Sequence, residues 1–192
     1  MADDWQRVLS RDGTVLARIP TDQAVREIVV DALPLRRVPT DVRALLESAL
    51  GVMRRQANAL DVTLDLVIEG RVPAKISLDA EKTAWAITTL VGNALRYVHH
   101  GSHAMPGGTI KVHVTYDAAR SEIAVKVQDD GAGIPAEKLQ SLFSLGADQP
   151  RAGLSLPMIR DVVRAHGGEF EVQSETNPVR RGTTIRFTLP VS

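Results

Sequence analysis

The spacing of apolar residues divides this chain into segments of two periodicities. Val42, Leu45, Leu46, Ala49, Met53 and Leu60 recur at helical intervals, and Thr40 before them is a plausible N-cap. The pattern then switches to alternation, with Val62, Leu64, Leu66 and Ile68 against Thr63, Asp65 and Glu69. That predicts a strand with one buried face. Residues 70–73 read as a loop and residues 74–78 as a short strand. Asp79 can cap a long helix reaching about His99, whose apolar face is Ala84, Ile87, Val91, Ala94, Leu95 and Val98. Alternation returns at Ile110, Val112, Val114 and Tyr116, and again at Ile123, Val125 and Val127. With a turn at residues 117–120 between them, this is a hairpin. Pro135 suits the first turn of a short helix through Leu142 and Phe143. A further helix starts around Gly153-Leu154-Ser155-Leu156-Pro157, with Met158, Ile159, Val162 and Val163 inward, and Gly167-Gly168 stops it. Strands close the chain at residues 170–172 and 183–189. The resulting order is an α+β layout, an antiparallel or mixed sheet with helices on one face.

Ahead of this lies a less informative stretch, residues 1–37. Arg11-Asp12-Gly13-Thr14 reads as a turn and Val15-Leu16-Ala17-Arg18-Ile19 as a short strand. Pro20-Thr21-Asp22 then reads as the start of an amphipathic helix with the stripe Val25, Ile28, Val29, Ala32 and Leu33, ended by Pro34. So short a helix needs a surface to bury against. The main domain or a second copy of the chain could supply it. The expected organisation is therefore an N-terminal extension over residues 1–37 and one domain over residues 38–192.

Composition narrows the classes. The 192 residues are 44% hydrophobic, enough for a sizeable core. With a net charge of +0 no polyanion-binding surface is implied, although a local basic patch stays compatible with it, and no nucleic-acid partner is expected. The absence of cysteine removes disulfides, thiolate metal sites and cysteine nucleophiles. No apolar run is long enough to span a bilayer and the N-terminus lacks a signal-peptide core, so the chain reads as cytoplasmic.

Two stretches carry candidate chemistry. The strand ending at Gln128 runs into Asp129-Asp130-Gly131-Ala132-Gly133-Ile134-Pro135. Two glycines one residue apart allow a tight turn and let a flat ligand approach the main chain. A carboxylate at a strand end is an acceptor-only group suited to the exocyclic amine of a purine, although Asp and Gly are also the commonest residues of a solvated turn. The second stretch is the other face of the long helix, where Thr89, Asn93, Arg96 and Tyr97 lie at i, i+4, i+7 and i+8. That stripe fits a site or a solvated face. His99, His100 and His103 sit close together, but no carboxylate or cysteine pattern accompanies them, and they read as solvent-exposed loop residues.

Residues 38–192 resemble the ATP-binding catalytic domain of sensor histidine kinases, in the family shared with DNA gyrase B, heat-shock protein 90 and MutL. The resemblance rests on boxes matched in order: Leu90-Val91-Gly92-Asn93-Ala94-Leu95-Arg96-Tyr97, Asp129-Asp130-Gly131-Ala132-Gly133-Ile134, Gly153-Leu154-Ser155-Leu156 leading to Ala165-His166-Gly167-Gly168, and Gly182-Thr183-Thr184-Ile185-Arg186-Phe187. It implies a two-layer α/β sandwich of the Bergerat type, with ATP and Mg²⁺ as ligands. Asp129 is similar to the adenine-recognising carboxylate, with Thr183 near it through water and Thr184 beside that. Asn93 corresponds to the magnesium ligand, and its amide oxygen is a hard donor suited to that ion. Arg96 stands where a basic residue reaches the phosphates, and Tyr97 offers a ring near the base. Gly131, Gly133 and Ile134 form the turn, and Gly153 and Leu154 bring a helix N-terminus to the phosphates. Residues 135–152 would be the ATP lid, with Arg151 reaching phosphate or filling the turn.

The sequence departs from the family's pattern in definite ways. Thr89 occupies the catalytic position where Asn or Glu is usual, proposed as a base or water-orienting group. The third glycine box, Arg151-Ala152-Gly153-Leu154-Ser155, keeps one glycine of three. None of His99, His100, His103, His113 or His166 lies in an acceptor-histidine context. The resemblance thus implies a protein histidine kinase catalytic domain whose γ-phosphoryl goes to a histidine supplied elsewhere. Its partners would be a histidine-bearing dimerisation domain and a response regulator, with a homodimer through the N-terminal segment as one way to cover the Val25 stripe. The alternative is a degenerate kinase domain acting as a nucleotide-binding or protein-interaction module.

Overall fold

The computed structural model describes residues 33–102, 104–143 and 155–191, together with the strands Trp5–Leu9 (β1) and Val15–Pro20 (β2). Two compact units result, residues 1–32 and 33–192. In the first, β1 and β2 pair antiparallel, Gln6 opposite Ile19 and Arg7 opposite Arg18, with an irregularity between Val8 and Leu9. The strand expected at residues 15–19 is β2. β1 was not expected, since Trp5-Gln6-Arg7-Val8-Leu9 shows no alternation of apolar and polar residues. The turn at residues 11–14 and the helix carrying Val25, Ile28, Val29 and Ala32 lie outside the described residues.

The second unit has two layers. Its main sheet has the order β4-β6-β7-β9-β8, formed by Thr63–Ile68 (β4), Thr109–Asp117 (β6), Glu122–Asp129 (β7), Phe170–Glu175 (β8) and Gly182–Pro190 (β9). β4 and β6 run parallel, and the other neighbours are antiparallel. Alternation decides the faces. Ile110, Val112, Val114, Ile123, Val125, Val127, Ile185, Phe187 and Leu189 are buried beneath the helices. Lys111, His113, Lys126 and Arg186 take the intervening positions on the open face. The covering helices are Val42–Ala59 (α1), Ala80–Tyr97 (α2) and Ser155–Ala165 (α4), with Ala136–Phe143 (α3) between the β7 turn and α4. A small second sheet pairs Val38–Thr40 (β3) with Ile76–Leu78 (β5), Val38 opposite Leu78. Among the described residues, no helix is long and apolar enough to cross a membrane.

Two sequence expectations need correction. The N-cap of α1 is Asp41, whose Oδ1 accepts from Ala44 N–H at 2.9 Å. Thr40 instead ends β3, and its hydroxyl donates to Val38 O at 2.9 Å. Met158 is not inward. It is 54% exposed, while Leu156, Ile159, Val162 and Val163 make the buried stripe of α4. A helix that rests on one flank of a sheet has room for about one apolar residue per turn and its i+3/i+4 neighbours. The run Leu-Pro-Met-Ile exceeds that width.

The start of α2 is tied to the end of α4 through a buried polar junction. Asp79 caps α2, its Oδ1 accepting from Lys82 N–H at 3.0 Å and its Oδ2 from Lys82 Nζ and Arg36 N–H, each at 2.9 Å. The Asp79 N–H donates to His166 Nε2 at 3.0 Å, and His166 Nδ1 donates to Val162 O at 2.8 Å. Arg37 Nη2 adds a hydrogen bond to Ala165 O at 2.8 Å. Burial alone pushes the Asp79 carboxyl up, but the Lys82 N–H and ammonium and the Arg36 N–H outweigh it and hold the group at about 2. Burial pushes His166 below the ordinary histidine value, so it is neutral with the proton on Nδ1.

An acid limb in stability follows in two stages. The native pKa of His166 is depressed, so its contribution is full above the unfolded value of 6.5 and is lost as pH falls below it. Protonating Nε2 removes the acceptor that Asp79 N–H uses. The depressed carboxyl of Asp79 contributes about 2 kcal/mol at neutral pH, a contribution lost between about pH 4 and pH 2. Denaturant midpoints measured across pH are expected to fall in both windows. In Asp79→Ala the lower drop should disappear; its persistence would assign it to other carboxylates.

Candidate nucleotide site

The candidate residues come from the end of α2, the turn after β7, and the ends of β8 and β9. Helix α2 buries Thr83, Ala86, Ile87, Leu90, Val91, Ala94 and Leu95. This leaves Thr89 and Asn93 half-buried along its other flank and Arg96 and Tyr97 exposed. Asn93 Nδ2 donates to the hydroxyl of Ser155, the first residue of α4, at 3.4 Å. This long contact engages the amide nitrogen, and the oxygen is the atom a hard cation would take. Ser155, a departure from the glycine pattern, thus stands as a partner to Asn93.

Strand β7 ends in two carboxylates with different surroundings. Asp130 Oδ1 accepts from Thr109 N–H at 2.9 Å and ties the turn to the start of β6. Asp129 Oδ1 accepts from Gly131 N–H at 2.9 Å, closing the turn on itself. Burial pushes the Asp129 carboxyl above the usual range, and the charge of Asp130 adds to that; the N–H groups of Gly131 and Thr183 pull it back. The glycines permit close approach. A Cβ on Gly131 would stand 2.8 Å from both Asp129 Oδ1 and the carbonyl oxygen of Tyr97, so the turn lies directly against the end of α2. Gly133 has φ 76°, and a Cβ there would lie 2.1 Å from the Glu175 carbonyl oxygen. The next residue, Ile134, donates its N–H to Ser174 Oγ at 2.7 Å.

Register brings the remaining polar groups into line. Asp129 pairs with Thr183, and Thr183 with Ser174. These three side chains share the helix-covered face, in a row across β7, β9 and β8. Thr183 is 8% exposed, and its hydroxyl lies 2.9 Å from that of Ser174. The fold therefore gathers Tyr97, Asp129, Gly131, Gly133, Ile134 and Thr183 around one corner, with Asn93 one turn earlier on α2 beside Ser155. Thr184 is not among them: it pairs with Gln128 and Gln173, which puts its side chain on the opposite face. Arg151, Gly153 and Leu154 lie outside the described residues.

Sequence reasoning passed over Ser174, Ser155, Asp130 and Gly182 as site residues. Ser174 carries a signal, since it follows Val172 at period two and so falls on the buried side. The histidine loop has a local explanation. His100 Nε2 lies 2.9 Å from Leu95 O, a carbonyl near the C-terminus of α2. Among the described residues, no group of three or more His, Cys, Asp or Glu side chains is arranged to hold a metal ion. His103 lies outside them.

The chain is thus an α+β domain with a carboxylate at a strand end, a glycine turn against a helix terminus and an asparagine on that helix. Residues 78–192 match the family model of histidine kinase-, DNA gyrase B- and HSP90-like ATPases, and the chain belongs to that family. Among curated proteins it is 29% identical to the adaptive-response sensory kinase SasA of Synechococcus sp. (strain JA-3-3Ab), over 83% of this chain and 41% of that protein. It is also 29% identical to the histidine protein kinase DivJ of Caulobacter vibrioides, over 86% of this chain and 27% of that one. The chain thus spans less than half the length of these relatives. Among solved structures, the catalytic domain of histidine kinase ThkA aligns with TM-score 0.65 at 18% identity, covering 81% of this chain and 96% of that one. Full-length ShkA in complex with AMPPNP aligns with TM-score 0.69 at 20% identity, covering 84% and 32%. These likenesses show the fold.

Proposed function

We propose that this chain binds Mg-ATP and passes the γ-phosphoryl to a histidine on another domain or chain, within two-component signalling. The observation that carries the reading is the glycine turn after Asp129 lying directly against the end of α2, the helix that carries Asn93. The names of the relatives support it, as does an AMPPNP complex of a protein with the same fold. A similar kinase, ThkA, has been solved in complex with a response regulator, which supports a regulator as the downstream partner.

In this reading Asp129 accepts a hydrogen bond from the adenine amine, and Gly131 and Gly133 keep side chains out of the path of the base. Asn93 would hold Mg²⁺ by its amide oxygen, with phosphates and water completing the shell, as is usual for that ion. The bound ion neutralises phosphate charge as the γ-phosphoryl is transferred. Arg96 lies one turn on from Asn93, placed to add positive charge. Thr89 stands one turn before it, where it can orient a hydroxyl or water but is a poor general base. Catalysis would then come mainly from positioning and charge neutralisation. Thr89 also favours the second reading, a nucleotide-holding module with weak transfer. Titrating the chain with ATP in the presence and absence of Mg²⁺, followed by thermal melting, tests the site; no shift at millimolar Mg-ATP would leave a protein-interaction module as the better reading.

The acceptor side yields a separate expectation. No histidine in the chain lies in an acceptor context, so incubation with labelled ATP should leave no acid-labile phosphate on it. Mapping such phosphate to His99, His100 or His103 would overturn this and make that loop an acceptor.

A further inference from the structure

The hydroxyl of Ser174 has all its hydrogen-bonding capacity committed. A serine hydroxyl carries one hydrogen and two acceptor lone pairs. Ile134 N–H donates into one lone pair at 2.7 Å. The Ser174 hydrogen goes to the Gly182 carbonyl at 3.1 Å, an acceptor with no hydrogen to give. The remaining contact, at 2.9 Å to Thr183 Oγ1, must then take its hydrogen from Thr183. Thr183 also has one hydrogen, and Ser174 uses it. Thr183 therefore presents only lone pairs to its other side, next in register to the carboxylate of Asp129.

We propose that Ser174 is a specificity-determining positioning residue, which fixes the hydroxyl of Thr183 as an acceptor so that the pocket takes 6-amino purines and rejects 6-oxo purines. The inference rests on the nucleotide reading above and deepens it. Two neighbouring acceptors, Asp129 and Thr183, require donors from the ligand. The amine at C6 of adenine brings two N–H groups. The oxygen at C6 of guanine or hypoxanthine brings lone pairs, and the single N1–H beside it can serve only one of the two acceptors, so the acceptor that faces the oxygen is left unpaired. Without Ser174, the Thr183 hydroxyl is free to rotate and donate to that oxygen. Asp129 alone cannot adapt in this way while it is ionised.

The test is the ratio of the dissociation constants of ATP and ITP, each with Mg²⁺, measured on the whole chain. The intact protein should prefer ATP. In Ser174→Ala the preference should fall about three- to tenfold, the range one hydrogen bond contributes, whatever happens to affinity in general as Ile134 loses its acceptor. Ser174→Thr should restore the ratio. If Ser174→Ala fails to fold, Ser174→Cys keeps nearly the same volume with a weakly hydrogen-bonding sulfur, and its preference should fall too. A loss of affinity shared equally by ATP and ITP in these variants would reduce Ser174 to a structural residue and overturn the inference while leaving the site intact. If the intact chain binds neither nucleotide, the nucleotide reading falls first, and this inference with it.

Discussion

Replacing Asp129 with Asn is expected to remove most of the stabilisation that Mg-ATP should give the chain. At a ligand concentration a hundredfold above Kd, the unaltered protein should gain about 2.7 kcal/mol by mass action. For a domain of this size each kcal/mol moves the melting temperature by roughly 2–4 °C, so the expected shift is about 5–10 °C. The substitution keeps the shape of the side chain and replaces one acceptor oxygen with an NH₂ group. A donor then faces the adenine amine, and affinity should drop on the order of a hundredfold. Asn93→Ala should behave differently, weakening the magnesium-dependent part and sparing the shift produced by ADP without metal. A full Mg-ATP shift in Asp129→Asn would move base recognition away from this corner.

Gly168→Ala should be the most damaging single methyl added to the fold. A Cβ at Gly168 would lie 1.8 Å from the Thr188 carbonyl oxygen and 3.2 Å from Val163 Cγ1. The close atom belongs to backbone inside the sheet and cannot swing aside. Relieving the clash means parting the segment after α4 from β9, which threatens the bonds Thr188 N–H to Glu169 O at 2.9 Å and Glu169 N–H to Thr188 Oγ1 at 3.0 Å. The cost is about 3 kcal/mol, combining overpacking with a lost hydrogen bond, or roughly 6–12 °C in melting temperature. Two neighbouring experiments calibrate it. Gly167→Ala meets only Pro190 Cγ, at an ordinary contact distance of 3.6 Å, and strains its φ of 84°, costing about 1 kcal/mol. Gly51→Ala, within α1 and with nothing inside 4 Å of the added carbon, should stabilise by about 0.5–1 kcal/mol. If Gly168→Ala melts as Gly167→Ala does, steric exclusion is not what this position enforces.

The parts of this structure that could be read in advance are those where one residue decides its own state. Alternation through Ile110, Val112 and Val114 and through Ile123, Val125 and Val127 fixes both strands and their buried face. Asp79 marks the start of α2 and Gly167-Gly168 the end of α4 because cap chemistry is local. The misreadings occur where a distant partner decides. Pro39 looks like a boundary in sequence, yet β3 forms because Ile76–Leu78 offers it an edge. Met158 fits an apolar stripe until the width of the facing surface is known. Thr183 and Thr184 are indistinguishable by type, and only the register to Asp129 and Gln128 separates the pocket from the open face. Ser174 was passed over for the same reason, since its partners Ile134 and Gly182 come from two other segments. His166 offered no metal or acceptor context because its partner is a backbone N–H at the start of α2.

The parallel pairing of β4 with β6 bears on how this domain comes into being. Thr63 lies opposite Thr109, and the connection between them crosses over the sheet through β5 and α2. A parallel pair cannot close through a tight turn; the chain must first lay down its crossover. Hairpins such as β6–β7 can form within microseconds, but the β4 edge must await a loop closure of far higher entropic cost. Since α2 is that crossover, Thr89, Asn93 and Arg96 lie on the segment whose closure carries the higher entropic cost. A chain with only the Asp129 turn in place lacks the wall that α2 supplies, so this corner is complete only once the crossover is closed.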